Sequence, residues 1–393
     1  MNNHTNEGTA ARPSLLRHLN ERTVLEAIRD GAPISRAKIS RAVGISKPTV
    51  SVALRSLLDA GLVREASETG DGPSYGATFF ESVPDVAVVL GLDLGARFLR
   101  GAICDLGGKI RARQDVELPD AEAQSAIGAA AELKERLIAA GDVSDGSVDG
   151  AVIGVPGVVT GGGEVAQAEN VHGLEGMRVD AELEGLLGVP VTLENDINLA
   201  ALGEQSNGVA RGVDDFVFLS VGTGLGAGVV LHRELHQGHH GAAGEIDFAL
   251  GSGIERDTDP AAPAIANFAR RLADTDGSQS ALGASFEVPE IFGAARAGDA
   301  LALEVVEEEA RRIALHIAPV AAVIDVELIV IGGGIGANGD LLLAPIRARL
   351  DELLPYPPRV EVSSLGDAAV LNGALAVGRA AALNSVFENR ARA

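Results

Sequence analysis

Apolar residues recur at helical spacing from Leu15 to Val63, and from Val86 onward they run in short blocks broken by glycines. Leu15, Leu19, Val24 and Ile28 support a first helix or pair of helices. ISRAKISRAVGISKPTVSVALRSLLDAGLVRE, residues 34–65, predicts two further short helices and a turn. Ser35 is placed to cap the first, which carries Ile39 and Val43, and Gly44 makes the turn. Ser46 is placed to cap the second, where Pro48 suits a first turn that needs no amide donor. Val50, Leu54 and Leu57 then face a core. REASETGDGPSYGATFF, from Arg64, has β-prone ends around a glycine-rich centre and predicts a hairpin, the wing of a winged helix.

The remainder alternates strands and helices. VAVVLGLDLGARFLRGAICDLGGKI reads as strand, turn, strand, turn, and DFVFLSVGTGLGAGVVLHRELHQG repeats that plan. Aligning the two sets Asp93-Leu94-Gly95 over Gly222-Thr223-Gly224. A third glycine-rich turn, IVIGGGIGANGD, follows an apolar strand from Leu328 to Ile331. The doubling predicts two α/β lobes facing each other across a cleft. The expected fold is therefore an α/β, two-lobed domain preceded by an α+β winged helix-turn-helix domain. The expected boundaries are 1–80 for the winged helix and 81–205 for the first lobe, completed by a C-terminal helix 373–393. The second lobe is expected over 206–372.

Composition narrows the class. Of 393 residues 46% are hydrophobic and 22% charged, ordinary for a globular protein, and aromatics are only 3%, so the core is aliphatic. The single cysteine, Cys104, permits no disulfide within the chain and no cysteine-rich zinc site. The N-terminal stretch is polar and lacks an apolar signal core. The most apolar run, Ile313 to Ile331, is broken by His316, Pro319, Asp325 and Glu327 and makes a poor membrane span. A cytoplasmic protein with no membrane partner is expected. Net charge is −23, yet residues 33–64 carry six basic residues and one acid. A basic island on an acidic protein points to a local polyanion contact. Ser35, Arg36, Ser46, Lys47, Thr49, Ser51 and Arg55 are the candidate DNA contacts, because short polar and basic side chains at the start of a recognition helix suit base edges and phosphates. The acidic wing residues Glu65, Glu68 and Asp71 should add little to phosphate attraction.

Candidate chemistry clusters at the turns. Val191 to Glu204, VTLENDINLAALGE, changes from strand to helix at Glu194-Asn195-Asp196. AVIGVPGVV turns at Pro156-Gly157, AENVHGLEG offers Asn170, and QGHHGAAGEID offers Glu245 and Asp247. Converging polar side chains of this kind suit a polyhydroxylated ligand. Glycines at strand ends let amides approach phosphate, and an Asp near such a turn can hold a hydrated Mg²⁺. The acidic run Glu304 to Glu309 reads as a solvated helix face.

Taken together these segments resemble the ROK family of repressors, uncharacterised reading frames and sugar kinases, over essentially the whole chain. GTGLGAG with GAAGEID resembles the family signature, ENDINLAALGE its catalytic segment, IVIGGGIG its adenosine-side segment and LGDAAVLNGALAVG its C-terminal helix region. The N-terminal winged helix resembles the repressor branch. The resemblance implies an actin-like, ribonuclease H-like sugar-kinase fold. It implies sugar contacts from Gly157, Asn170, Asn195, Asp196 and Glu245, with Asp196 as catalytic base only if the chain is kinase-active. It implies nucleotide-side positions at Asp93, Gly95, Gly222, Thr223, Gly224, Gly332, Gly333 and Gly334. Three departures stand out. Arg97 stands where kinases carry a hydroxyl, Asp247 stands in the region where many members carry a sugar-touching, often zinc-binding histidine, and GSGIERDTDPAAP lacks the zinc-binding cysteines. Asp247 is then itself a candidate sugar ligand. The expectation is a sugar-responsive DNA-binding regulator, a repressor, acting on a pseudo-palindromic operator as a homodimer with a sugar or sugar-phosphate effector. It is expected to require no cofactor and no zinc, and no metal site is expected. The alternative is a sugar kinase using ATP and Mg²⁺ with an appended DNA-binding domain.

Overall fold

The computed structural model describes residues 11–66, 77–168, 170–247, 258–276, 282 and 286–391. The wing tip with Glu68 and Asp71, and the first part of GSGIERDTDPAAP, lie outside the described residues.

The N-terminal unit runs α1 (Ala11–Gly31), β1 (Ile34–Ser35), α2 (Arg36–Val43), α3 (Lys47–Asp59), β2 (Val63–Glu65) and β3 (Phe79–Ser82). Gly44 ends α2 in the left-handed conformation at φ 68°. Ser46 caps α3, its Oγ accepting the Thr49 amide at 3.4 Å. Val50, Ala53, Leu54 and Leu57 are buried against Val24, Leu25, Ile28 and Ile39. The β2–β3 wing is antiparallel, and β1 completes a three-stranded sheet on the other edge of β3. Ser35 stands at the N-cap position of α2 but makes no side-chain cap bond.

Two lobes follow with one topology. In the first, β4 (Val88–Leu94), β5 (Phe98–Asp105) and β6 (Ile110–Glu117) form an antiparallel meander, α4 (Ala123–Gly141) crosses over, and β7 (Val148–Val155) returns parallel to β4. The small hairpin β8 (Val158–Val159) and β9 (Val165–Ala166), α5 (Val179–Leu187), β10 (Val191–Asn195) and α6 (Asp196–Asn207) complete it, with sheet order β10-β7-β4-β5-β6. The second lobe repeats the meander with β11 (Phe216–Val221), β12 (Leu225–Leu231) and β13 (Glu234–Leu235). It continues through α7 (Ala262–Asp276), α8 (Val288–Arg296), α9 (Ala300–Ile324), β14 (Leu328–Gly332), the short α10 (Gly333–Gly336), α11 (Gly339–Leu353), β15 (Arg359–Val362) and α12 (Ala369–Ala391). Its sheet order, β13-β12-β11-β14-β15, is the same plan.

The helix ending each lobe crosses to the other. Ala200 and Ala201 of α6 are buried with Phe216, Phe218 and Val230 of the second lobe. Leu371 and Leu375 of α12 are buried with Val89 and Ala102 of the first. The two helices meet where Gly203 and Gly373 lack side chains; a Cβ on Gly373 would stand 1.9 Å from the Leu199 carbonyl. Leu371, Leu375, Ala382 and Leu383 share one apolar cluster with the winged-helix core. The Leu106 amide donates to the Pro84 carbonyl at 3.1 Å, and Arg111 pairs with Asp85. The winged-helix unit is thus packed onto the first lobe and α12. Among the described residues one helical stretch, Gly366–Val386, is long and apolar enough to cross a membrane, but here it belongs to the crossing helix of this core.

The apolar run Ile313 to Ile331, expected to be a poor membrane span, is the end of α9 and the start of β14. Two expectations need correction. β4 runs through Leu94 and β11 ends at Val221, so Gly95, not Asp93, takes the place of Gly222; the glycine-matched alignment was two residues out because it ignored where each strand ends. The acidic run is not all solvated: Glu309 is fully buried, with neither carboxylate oxygen hydrogen-bonded. Position 309 falls on the stripe of α9 that buries Val305, Val306, Ala310 and Ile313, so its helical phase overrides its polarity.

Candidate sugar cleft and DNA-reading face

Between the lobes lies a cleft of about 490 Å³, lined by Gly157, Asn170, Asn195, Asp196, Gly222, Thr223, Gly224, Glu245 and Asp247 among others. All six expected sugar-side residues and three of the expected nucleotide-side glycine-turn residues therefore meet there. Gly157 turns at φ 99°, and a Cβ would stand 2.5 Å from the Ala166 carbonyl, so only glycine fits. Asn195 is the N-cap of α6: its Oδ1 accepts the Asn198 amide at 3.0 Å and its Nδ2 donates to the Gly157 carbonyl at 3.0 Å. It retains one N–H and one lone pair for a ligand.

Asp196 opens α6 and is half-buried. Its Oδ1 accepts the Ile197 amide at 2.8 Å. Burial, with the nearby charges of Asp93 and Glu245, outweighs that bond and raises its pKa to about 7. Burial and Asp247 also raise that of Glu245. Asp247 Oδ2 comes 3.4 Å from where a Cβ on Gly224 would stand, so a carboxylate borders the turn offered to phosphate. Among the described lining residues there is no lysine, arginine or histidine.

The nucleotide side is differently built. Asp93 lies inside β4, and Arg100 faces it across the hairpin, its Nη1 donating to Asp93 Oδ2 at 3.2 Å. Burial still raises Asp93 to about 6. The Gly95 amide donates to the Phe98 carbonyl. Arg97 reaches outward to Glu117 at 3.0 Å and over the Phe98 ring. Gly332, Gly333 and Gly334 stand beside the Gly222 turn rather than in the cleft lining; Gly333, at φ 81°, packs against Val221 and Gly334 against Gly222. A magnesium–nucleotide site needs a free carboxylate here, and Asp93 is engaged by a guanidinium. Thiolate zinc does not fit either. Cys104 is buried with the winged-helix core, and no group of three or more His, Cys, Asp or Glu among the described residues is arranged for a metal.

Sequence reasoning missed three contributors, Gln167, Gln237 and Arg100, and left Glu194 of the junction without a role. Gln167 lines the cleft in a left-handed conformation at φ 58°, with no signal in its spacing. Glu194 accepts from Asn195 N and Asn198 Nδ2, and from Gln237 of the second lobe at 2.6 Å, forming a bridge across the cleft. Arg100 was findable: a hairpin centred between Ala96 and Arg97 pairs position 93 with position 100.

On the winged helix, Lys47 and Arg55 are exposed, and Thr49 and Ser51 half-buried. Ser46 and Thr49 share a 2.8 Å hydroxyl contact, Ser51 donates to the Lys47 carbonyl at 2.9 Å, and Arg36 donates to Ser51 at 3.1 Å. Ser35 instead pairs with Phe79 in the wing sheet.

The ROK family pattern matches residues 89–385, and a MarR family pattern matches residues 18–72. A protein named putative xylose repressor, from Caldicellulosiruptor sp. strain Rt8B.4, is 28% identical over 387 residues, 93% of this chain and 96% of its own. The crystal structure of a ROK family transcriptional regulator, a homolog of the E. coli MLC protein, superimposes with a TM-score of 0.78 at 24% identity, covering 95% of this chain and 98% of that one; this likeness speaks to fold. A ROK family glucokinase from Streptomyces griseus, solved with glucose and AMPPNP, gives a TM-score of 0.63 at 26% identity over 75% of this chain and 100% of that one.

Proposed function

The chain belongs to the ROK family, and we propose that it is a sugar-responsive DNA-binding transcriptional repressor of carbohydrate uptake or metabolism genes. The observation that carries this reading is a continuous path of packing from the cleft to the DNA-reading face. Asn195 and Asp196 begin α6, α6 crosses α12, and α12 shares one apolar cluster with the winged helix. A sugar held by Asn170, Asn195, Asp196, Glu245 and Asp247 draws the lobes together across the Glu194–Gln237 bridge. The tilt of α6 passes through α12 to α3, and in a homodimer it alters the spacing of two recognition helices on a pseudo-palindromic operator. The effector works because it binds the two lobe arrangements unequally. A lining without basic residues favours an unphosphorylated sugar, and the names of the relatives make D-xylose the first to try. Such a repressor works in the cytoplasm beside its DNA and requires neither metal nor nucleotide.

The test is titration of labelled duplexes from the neighbouring promoters, with and without a panel of sugars. Tight, sequence-dependent binding that a sugar weakens supports the reading. Absence of specific binding at physiological salt overturns it.

One observation favours a second reading. Asp196, near pKa 7, suits a general base acting on a sugar hydroxyl. Against sugar kinase activity stand the Asp93–Arg100 pair and the carboxylate of Asp247 beside Gly224, since phosphoryl transfer needs the phosphate held in line. Sugar-dependent ADP release that Asp196→Asn abolishes would establish that reading instead.

A further inference from the structure

Val52 of α3 is 59% exposed, a branched apolar side chain on a face it shares with exposed Pro48 and Arg55. At 100° per residue it points away from the buried Val50, Ala53, Leu54 and Leu57, and it lies between Pro48 one turn before and Arg55 one turn after. Isolated exposed apolar side chains are ordinary on protein surfaces. The position of this one is what gives it meaning. It stands opposite the buried face of α3, the side a recognition helix presents to a major groove, where Pro48 at the helix start is the other exposed apolar residue. The hydroxyls of Ser46, Thr49 and Ser51 are already engaged in capping and backbone bonds, and Arg36 holds Ser51 from the side. The major-groove floor presents a single apolar group, the C5-methyl of thymine.

We propose that Val52 is a base-reading residue whose isopropyl group packs on a thymine C5-methyl in each operator half-site. The inference rests on the DNA-binding reading and adds to it the identity of a base. Lys47 and Arg55 attract the phosphates and seat the helix, while Val52 selects an A·T pair in one orientation by packing on the thymine C5-methyl, a group cytosine lacks.

The test begins by selecting a duplex from a randomised pool with the full-length chain. Each thymine of the selected site is then replaced in turn by deoxyuridine, which removes only the methyl, and binding is measured at fixed salt. Burying one methyl group corresponds to about three- to fourfold in affinity. The wild-type protein should lose about that much at one thymine per half-site, and Val52→Ala should bind thymine and uracil duplexes equally there. Because the side chain is exposed, Val52→Ala should keep its circular dichroism and thermal transition; Val52→Thr, similar in shape but polar, should also fold and should discriminate less than wild type. A wild-type protein indifferent to every uracil, or a Val52→Ala variant with undiminished discrimination, overturns the inference alone. Failure to select any duplex removes the DNA-binding reading and this inference with it.

Discussion

Replacing Asp196 by asparagine removes a charge that the folded chain holds at a cost. Its pKa rises from 3.8 to about 7, through burial and the charges of Asp93 and Glu245. A folded-state value above the unfolded one means that the native state binds the extra proton. The stability this confers is fully present below the unfolded pKa and is lost as pH rises through the folded one. Each unit is worth about 1.4 kcal/mol, so relative to a neutral side chain the raised pKa of Asp196 costs the folded protein on the order of 4 kcal/mol at pH 8 and about 2 kcal/mol at pH 5.5. Asparagine keeps an oxygen for the Ile197 amide and carries no charge. The variant should therefore be more stable than wild type at pH 8, with an advantage that narrows by about 2 kcal/mol on going to pH 5.5. Denaturant unfolding at the two pH values, followed through the lobe transition, measures this. The same variant should respond more weakly to sugar while retaining operator binding, since α3 is untouched. A variant no more stable than wild type at pH 8, or an advantage that does not change with pH, would refute the electrostatic account of the cleft.

Other expectations follow from single contacts. Lys47→Ala and Arg55→Ala should weaken operator binding with sugar affinity unchanged, each lowering the salt dependence by about one phosphate contact, measured as the slope of affinity against salt. Arg100→Met leaves Asp93 buried without its partner and should cost about 3 kcal/mol near pH 8 and less near pH 5.5, where Asp93 is largely protonated; denaturation at both pH values tests this. Gly157→Ala forces a Cβ against the Ala166 carbonyl at positive φ and should destabilise by about 2 kcal/mol or more, with loss of sugar response in a thermal-shift titration. Glu309→Met removes an unpaired buried acid whose pKa burial pushes well up, and should raise stability by about 1–3 kcal/mol in the same denaturation assay.

Much of this architecture was legible because its signals are local. The cap at Ser46, the turn at Gly44, the α3 stripe of Val50, Leu54 and Leu57, and the strand-to-helix junction at Asn195-Asp196 depend on residues within one turn of each other. Local geometry is set by backbone sterics and by side chains three or four residues away, so it can be read one segment at a time. The repeated meander was legible for the same reason, since hairpin chemistry recurs at both lobe starts.

Other features depend on partners far along the chain. Arg97 was expected at the phosphate side, and it turns out to Glu117, because β6 brings a carboxylate to the edge of the sheet. The cation that engages Asp93 is Arg100, set by cross-strand register. Glu309 looked like one more surface acid until α9 was packed and its phase placed that residue in the core.

The sequence by itself determined the elements, their doubled order, the family and the pool of polar residues a sugar could meet. The tertiary structure alone decided which charges are paired, which acid is buried and where the two lobe-ending helices cross. Helix and turn signals are short-range and additive along the chain, whereas the electrostatic state of Asp93, Asp196 and Glu309 depends on burial and on charges brought close only when distant strands and helices pack.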